Sequence, residues 1–150
     1  MKKWLLLMVL FTVSIFAGPN EDLLNAVENK NTNKAKNLIA NGANVNCSDE
    51  DGSTVLMYSI FYKQLEVAKV LLRQGADINA QNDRGNGILH AIVDEYDQYD
   101  METIKFALDN NANVNLKDWE NNSAFILAAE SDNYDLTKLF LEYGANVNDR

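Results

Sequence analysis

Gly42-Ala43-Asn44-Val45-Asn46 returns as Gly75-Ala76-Asp77-Ile78-Asn79, then as Asn111-Ala112-Asn113-Val114-Asn115, and again as Gly144-Ala145-Asn146-Val147-Asn148. The copies stand 33, 36 and 33 residues apart. Ahead of each lies an apolar stretch at helical spacing, such as Val67, Val70 and Leu71 or Leu136, Leu139 and Phe140, with a shorter apolar stretch before it. Each unit therefore reads as a helix, a turn and a second helix, closed by a residue just past the helix end in left-handed backbone. Glycine fits there because a Cβ opposes that conformation, and asparagine, present at Asn111, is the next most tolerant residue. Units of this size bury apolar surface by stacking on their neighbours rather than around one centre.

Working outward, Asp49-x-x-Gly52-x-Thr54-x-Leu56, Leu65-Glu66-Val67, Leu71-Leu72 and the Gly75 to Asn79 stretch occur together, and the combination resembles the ankyrin repeat. The resemblance covers about residues 20–150. It implies an all-α ankyrin-repeat solenoid of four helix-turn-helix units with projecting hairpin loops, the units falling at about 20–48, 49–81, 82–117 and 118–150. The Thr-Pro-Leu-His tetrapeptide of the family is nowhere intact: Thr54-Val55-Leu56-Met57, Gly87-Ile88-Leu89-His90 and Ser123-Ala124-Phe125-Ile126 stand in its place. Losing the proline removes some preorganisation of the first helical turn but no hydrogen bond. In the first unit Lys34 and Asn37 occupy the registers of Val67 and Val70, which suits contact with water and makes this unit an N-terminal cap. At the other end Thr137 is the one polar adjustment, and Tyr134, Phe140 and Tyr143 are expected to leave apolar surface open.

Upstream of the array, Met1-Lys2-Lys3 precedes 14 residues, Trp4 to Ala17, without a charge, followed by Gly18-Pro19. A positive start, a short apolar run and a small residue at its end are the pattern of a secretory signal peptide, here residues 1–17 with cleavage after Ala17. A helix crossing a bilayer needs about 20 apolar residues, so no stable membrane anchor is expected. The only cysteine, Cys47, lies too far downstream to carry a lipid beside this segment. The mature domain, 18–150, is expected in the periplasm or secreted, and the Met-Lys-Lys opening looks bacterial.

Composition narrows the function. The 150 residues contain 13 Lys and Arg against 22 Asp and Glu, for a net charge of −9. Removal of the leader takes away Lys2 and Lys3 and no acid, making the mature chain more acidic still. Nucleic acid is excluded as a partner, because phosphate binding needs a basic surplus. One Cys and one His exclude an internal disulfide, a Cys/His zinc cluster and a Cys-x-x-Cys redox pair. No nucleophile and base stand in a recognisable pattern, so no enzyme, cofactor or metal is expected. His90 stands where the ankyrin pattern places the histidine that ties a helix start to the neighbouring loop. Cys47 takes a small packing position equivalent to Ala80. The 36-residue spacing places three extra residues in Asp94 to Asp100, a stretch that lacks the central glycine and terminal glutamate of a calcium loop and reads as a solvated acidic turn or a contact for a basic partner.

What remains is binding of another protein. In such an array the loop tips and the ends of the first helices form one concave surface. This chain offers Glu50, Asp51 and Ser53 with Phe61 and Tyr62 in the second unit. The third offers Asp83, Arg84 and Asn86 with Asp94, Glu95 and Tyr96, and the fourth Trp119, Glu120 and Asn122 with Glu130 and Ser131. Phe61 and Tyr62 are neighbours on a helix and cannot both face the core. Trp119 lies between two acids with nothing apolar in sequence to cover it. Exposed aromatics framed by acids have the composition of a protein interface. The partner-binding set is therefore Glu50, Asp51, Phe61, Tyr62, Arg84, Glu95, Tyr96, Trp119 and Glu120. The expected partner is a protein with a basic surface, met by a monomer. Its role is that of a scaffold or accessory factor for a periplasmic enzyme or assembly, or alternatively of an immunity protein neutralising a toxic enzyme.

Overall fold

The computed structural model describes residues 18–93 and 100–148, and these form an all-α solenoid of paired helices. The pairs are α1 (Pro19–Glu28) with α2 (Thr32–Ala40), α3 (Val55–Phe61) with α4 (Leu65–Arg73), α5 (Ile88–Val93) with α6 (Met101–Asp109), and α7 (Ala124–Glu130) with α8 (Tyr134–Glu142). The first helices pack on one another in the order α1, α3, α5, α7 and make an inner layer, backed by α2, α4, α6 and α8. The signal-peptide residues and the Asp94 to Tyr99 part of the acidic insertion, with Glu95 and Tyr96 in it, lie outside the described residues.

Local chemistry sets each start. Pro19 opens α1 at a position where its missing N–H costs nothing. Asn31, Thr54, Asp100, Ser123 and Asn133 each accept a backbone N–H of the turn they precede, capping α2, α3, α6, α7 and α8. At Thr54 the cap is reciprocal, because its own N–H donates to the Met57 sulfur, which occupies the tetrapeptide's histidine register. Burial then selects the packing face. In α4 it is Val67, Ala68 and Leu71, in α6 Ile104, Ala107 and Leu108, and in α8 Leu136, Leu139 and Phe140. The helix ends follow the expected form, with left-handed φ of +90°, +88°, +67° and +85° at Gly42, Gly75, Asn111 and Gly144.

Lys34 and Asn37 are exposed on α2, as a cap requires. The open surface at the far end differs from expectation in one residue. Tyr134 is 78% exposed and Tyr143 is also open, but Phe140 is fully buried and Leu141 and Val147 are exposed in its stead. Phe140 shares the register of the buried Leu71, and both belong to the core. Among the described residues, no helix is long and apolar enough to cross a membrane.

Candidate functional site

Three hairpins project between the helix pairs, and one carboxamide or carboxylate shapes each. Asp49 Oδ1 accepts the N–H groups of Asp51 and Ser53 at 3.0 and 2.9 Å, Asn82 Oδ1 those of Arg84 and Asn86, and Asp118 Oδ1 those of Glu120 and Asn122. These are Asx turns in identical register, and they hold the tips rigid. Adjacent tips are joined through the backbone: the Asp83 N–H donates to the Asp51 carbonyl at 2.9 Å, and the Trp119 N–H to the Arg84 carbonyl at 3.0 Å.

A second seam runs along the ends of the outer helices. Asn46, Asn79 and Asn115 each accept the N–H two residues beyond the next unit's cap, in Asp77, Asn113 and Asn146, at 2.7–2.8 Å, and donate to the carbonyls of Gly75, Asn111 and Gly144. This gives the last asparagine of the repeated pentapeptide its purpose. No preceding pentapeptide serves Asn44, and its N–H is taken by Asn20 of α1 at 3.0 Å.

Among the described residues, three hollows between the hairpins and the inner helices bear on the site. The first, about 630 Å³, is bordered by Glu21 and Glu28 of α1, Asp49 and Glu50 of the first hairpin, and Tyr58. The second, about 180 Å³, has Met57, Phe61 and Ala91 as its apolar lining, with Tyr58 and Asn86 at its sides. The third, about 380 Å³, lies among Asn86, Arg84, His90, Trp119 and Glu120. No inner helix carries a Lys or Arg, whereas every outer helix carries at least one. Lys34, Lys36 and Lys69 on the outer side pair with Asp22 and Glu66, and these pairs hold Glu66 below the usual carboxylate range, chiefly through the Lys69 hydrogen bond. The inner face is therefore acidic and the outer face balanced.

The residues singled out in the sequence take distinct places. Trp119 is 76% exposed on its tip and Phe61 is 37% exposed on the second hollow. Glu50 borders the first hollow, and Arg84 and Glu120 the third. Asp51 is exposed at the first tip, with its carbonyl held by Asp83. Tyr62 differs: it is half-buried, with its ring edge-on to Phe61 at 5.2 Å, stacked on Tyr58 at 6.1 Å and under the Lys30 ammonium at 5.7 Å. It supports Phe61 rather than lining a hollow. Ser53, Asn86 and Asn122 are half-buried, and Ser53 Oγ accepts from Asn82 Nδ2.

His90 is buried, its Nδ1 accepting the Gly87 N–H at 3.2 Å and its Nε2 lying 3.1 Å from the Asn122 carbonyl, so it fastens the start of α5 to the third hairpin. Cys47 is buried against the Asn20 carbonyl, and burial pushes its thiol up. Among the described residues, no group of His, Cys, Asp and Glu is placed to hold a metal ion.

Glu21, Glu28 and Tyr58 were not anticipated in the site. A signal existed: Glu21, Leu24, Asn25 and Glu28 are spaced i, i+3, i+4 and i+7 and share one face of α1. Tyr58 donates its hydroxyl to Asp49 Oδ2, and that bond, more than partial burial, raises the phenol far above its ordinary value. A raised phenol stabilises the fold below the unfolded value, about 10, and loses that contribution as pH rises through the folded one. Tyr58→Phe is accordingly expected to cost about 1 kcal/mol in urea unfolding at neutral pH, with a gap from the parent that holds to about pH 10 and closes beyond it.

Among known families, the chain matches a model described as ankyrin repeats in three copies, over residues 19–82 and 74–150. No curated protein matches it.

Proposed function

Because the chain belongs to the ankyrin-repeat family, whose repeats generally bind other proteins, we propose that it is an exported binding protein acting as a scaffold or accessory factor for a periplasmic enzyme or assembly. The observation that carries this reading is the inner face: acidic, free of Lys and Arg on its helices, and presenting Phe61 and Trp119 on rigid supports. Such a face suits a partner with a basic surface. Charge complementarity steers encounter, and aromatic anchors hold the complex. The exported location rests on the residue 1–17 pattern, and a monomer is proposed. An acid-lined groove also suits the basic mouth of a toxic enzyme, which favours immunity as the second reading.

The test is affinity capture from the periplasmic fraction, with mass spectrometry of the partner and of the bait's own N-terminus. The bait is expected outside the cytoplasm and to begin near Gly18. Trp119→Ala and Phe61→Ala should each weaken the captured complex by about 2–4 kcal/mol with the helical circular dichroism unchanged. Recovery of the chain in the cytosol with Met1 intact would remove export. Unchanged binding by both variants would remove the inner face. A captured hydrolase inhibited by the protein would select immunity.

A further inference from the structure

We propose that the open end of the array, the side of α7 and α8 turned away from the third pair, docks an ankyrin-type helix pair carried by a different protein, which stacks there as a next unit would. This surface is separate from the inner face, and the proposal does not depend on that face.

The chain contains the same surface in earlier copies, already covered. Leu56 and Leu89 are buried, and in the same register of the last pair Phe125 is only half-buried. Ile60 and Val93 are buried, and Ala129 is exposed. On the outer helices Leu72 and Leu108 are half-buried and buried, and Leu141 is exposed; Leu65 and Met101 are half-buried, and Tyr134 is open to solvent. Each of these registers gains exposure in the pair that no further pair follows among the described residues, so together they form the side that a following pair covers. The polar part of the interface is open as well. Asn46, Asn79 and Asn115 each bond across to the next unit, whereas Asn148, exposed in the same register, carries a carboxamide to which no described residue bonds. Repeat arrays ordinarily close on a polar outer unit, and a monomer rarely leaves a contiguous apolar surface uncovered.

The covered copies also define the occupant. What presses on this side is one buried, uncharged side chain from each helix of the arriving pair: Val55 and Val67, then Ile88 and Thr103, then Ala124 and Leu136. The arriving pair also presents a backbone N–H and a carbonyl to the asparagine, as Asp77 and Gly75 do to Asn46. A second copy of this chain does not meet that description. Its first pair has Asp22 and Lys34 in those registers, paired with each other at 3.5 Å, and its Asn44 N–H is already held by Asn20. Burying that ion pair against Tyr134 and Leu141 is unfavourable. The polar first unit thus keeps copies from stacking head to tail into open filaments and reserves the far end for a different protein.

The probe is this protein with its two ends exchanged in character. Asp22→Val, Lys34→Val and Asn37→Val give its first pair the side chains of Val55, Val67 and Val70, Asn20→Ala releases the Asn44 N–H, and Tyr134→Glu with Leu141→Glu closes its far end. Circular dichroism establishes its fold, and sedimentation velocity reads its binding to the full parent protein. A one-to-one complex is expected, at least about tenfold tighter than with a parent carrying Tyr134→Glu and Leu141→Glu, because those carboxylates are buried on docking. Asn148→Ala in the parent should weaken the complex by about tenfold through loss of two hydrogen bonds, and Phe61→Ala, on the inner face, should leave it unchanged. Equal binding to the parent and its Glu variant, none to either, or no effect of Asn148→Ala overturns the proposal. The same unit supplied in cis guards against a probe that fails to fold: residues 49–81 repeated after Arg150 should raise the urea midpoint, and no rise overturns the proposal equally. Weakening by Phe61→Ala of a captured partner, but not of this complex, would leave the two surfaces independent, as proposed.

Discussion

Gly85→Ala should cost the fold about 2–5 kcal/mol, whereas Gly75→Ala should cost about 1–2, although both glycines have left-handed backbone, at φ +76° and +88°. The shared part is conformational. At Gly75 a Cβ meets nothing within 4 Å, and the same register already holds Asn111 at φ +67°. At Gly85 a Cβ comes within 3.1 Å of the Asp118 backbone and the Trp119 ring, so the third hairpin must move off the second. That displacement breaks the Trp119 N–H bond to Arg84 and misplaces the proposed anchor. Asn121 completes the comparison. It occupies the Gly85 register in the third hairpin, at φ +67°, where no following hairpin lies against it among the described residues. Urea unfolding of the two variants measures the difference, and equal costs would show that close approach of the tips contributes nothing.

Removal of residues 18–48 should abolish cooperative unfolding and bring the remaining chain out of solution. Stability in such an array is a sum of unit and interface terms, and the deletion removes one of each. Val55 and Val67 are fully buried, and the first pair covers the side of α3 and α4 on which they lie. The equivalent registers in the first pair are the half-buried Asp22 and the exposed Lys34, which pair with each other at 3.5 Å. Exposing each valine forfeits about 1.5–3 kcal/mol. Gln64 also loses its amide bond to the Val27 carbonyl. Circular dichroism and sedimentation report the outcome. Transferring the cap's chemistry with Val67→Lys and Val70→Asn should recover part of the solubility, and a truncated chain as stable as the parent would refute the capping role of α2.

The helix pairs were legible because the Gly42 pentapeptide marks four helix ends at once, and apolar residues at helical spacing precede each of them. The hairpin tips came with the ankyrin resemblance, and the structure adds that Asp49, Asn82 and Asp118 shape them from within their own loops. Apart from the tie of His90 to the neighbouring hairpin, which the ankyrin resemblance implied, contacts that cross units were not legible. The asparagine seam joins residues 29 to 34 positions apart, and no pattern within one unit announces it. Asn20 stands outside the repeated pentapeptide, and only the folded chain shows it taking the place of a missing asparagine. Reading α1 purely as a cap hid its acidic inner face, although the spacing of Glu21, Asn25 and Glu28 displays it. Tyr62 was placed on the surface by the rule that neighbours diverge, but its stacking on Tyr58 depends on the preceding turn of α3 and on Lys30 from the first pair.

The two seams also join the units in different ways. The asparagine seam repeats the same two hydrogen bonds at each of its three junctions. Each tip junction carries one backbone bond and a side-chain bond that changes along the array, Asn82 Nδ2 to Ser53 Oγ at the first and Gln81 Nε2 to the Lys117 carbonyl at the second. The asparagine side is therefore a uniform spine, like that of a book, while the tip side is stitched differently at each step.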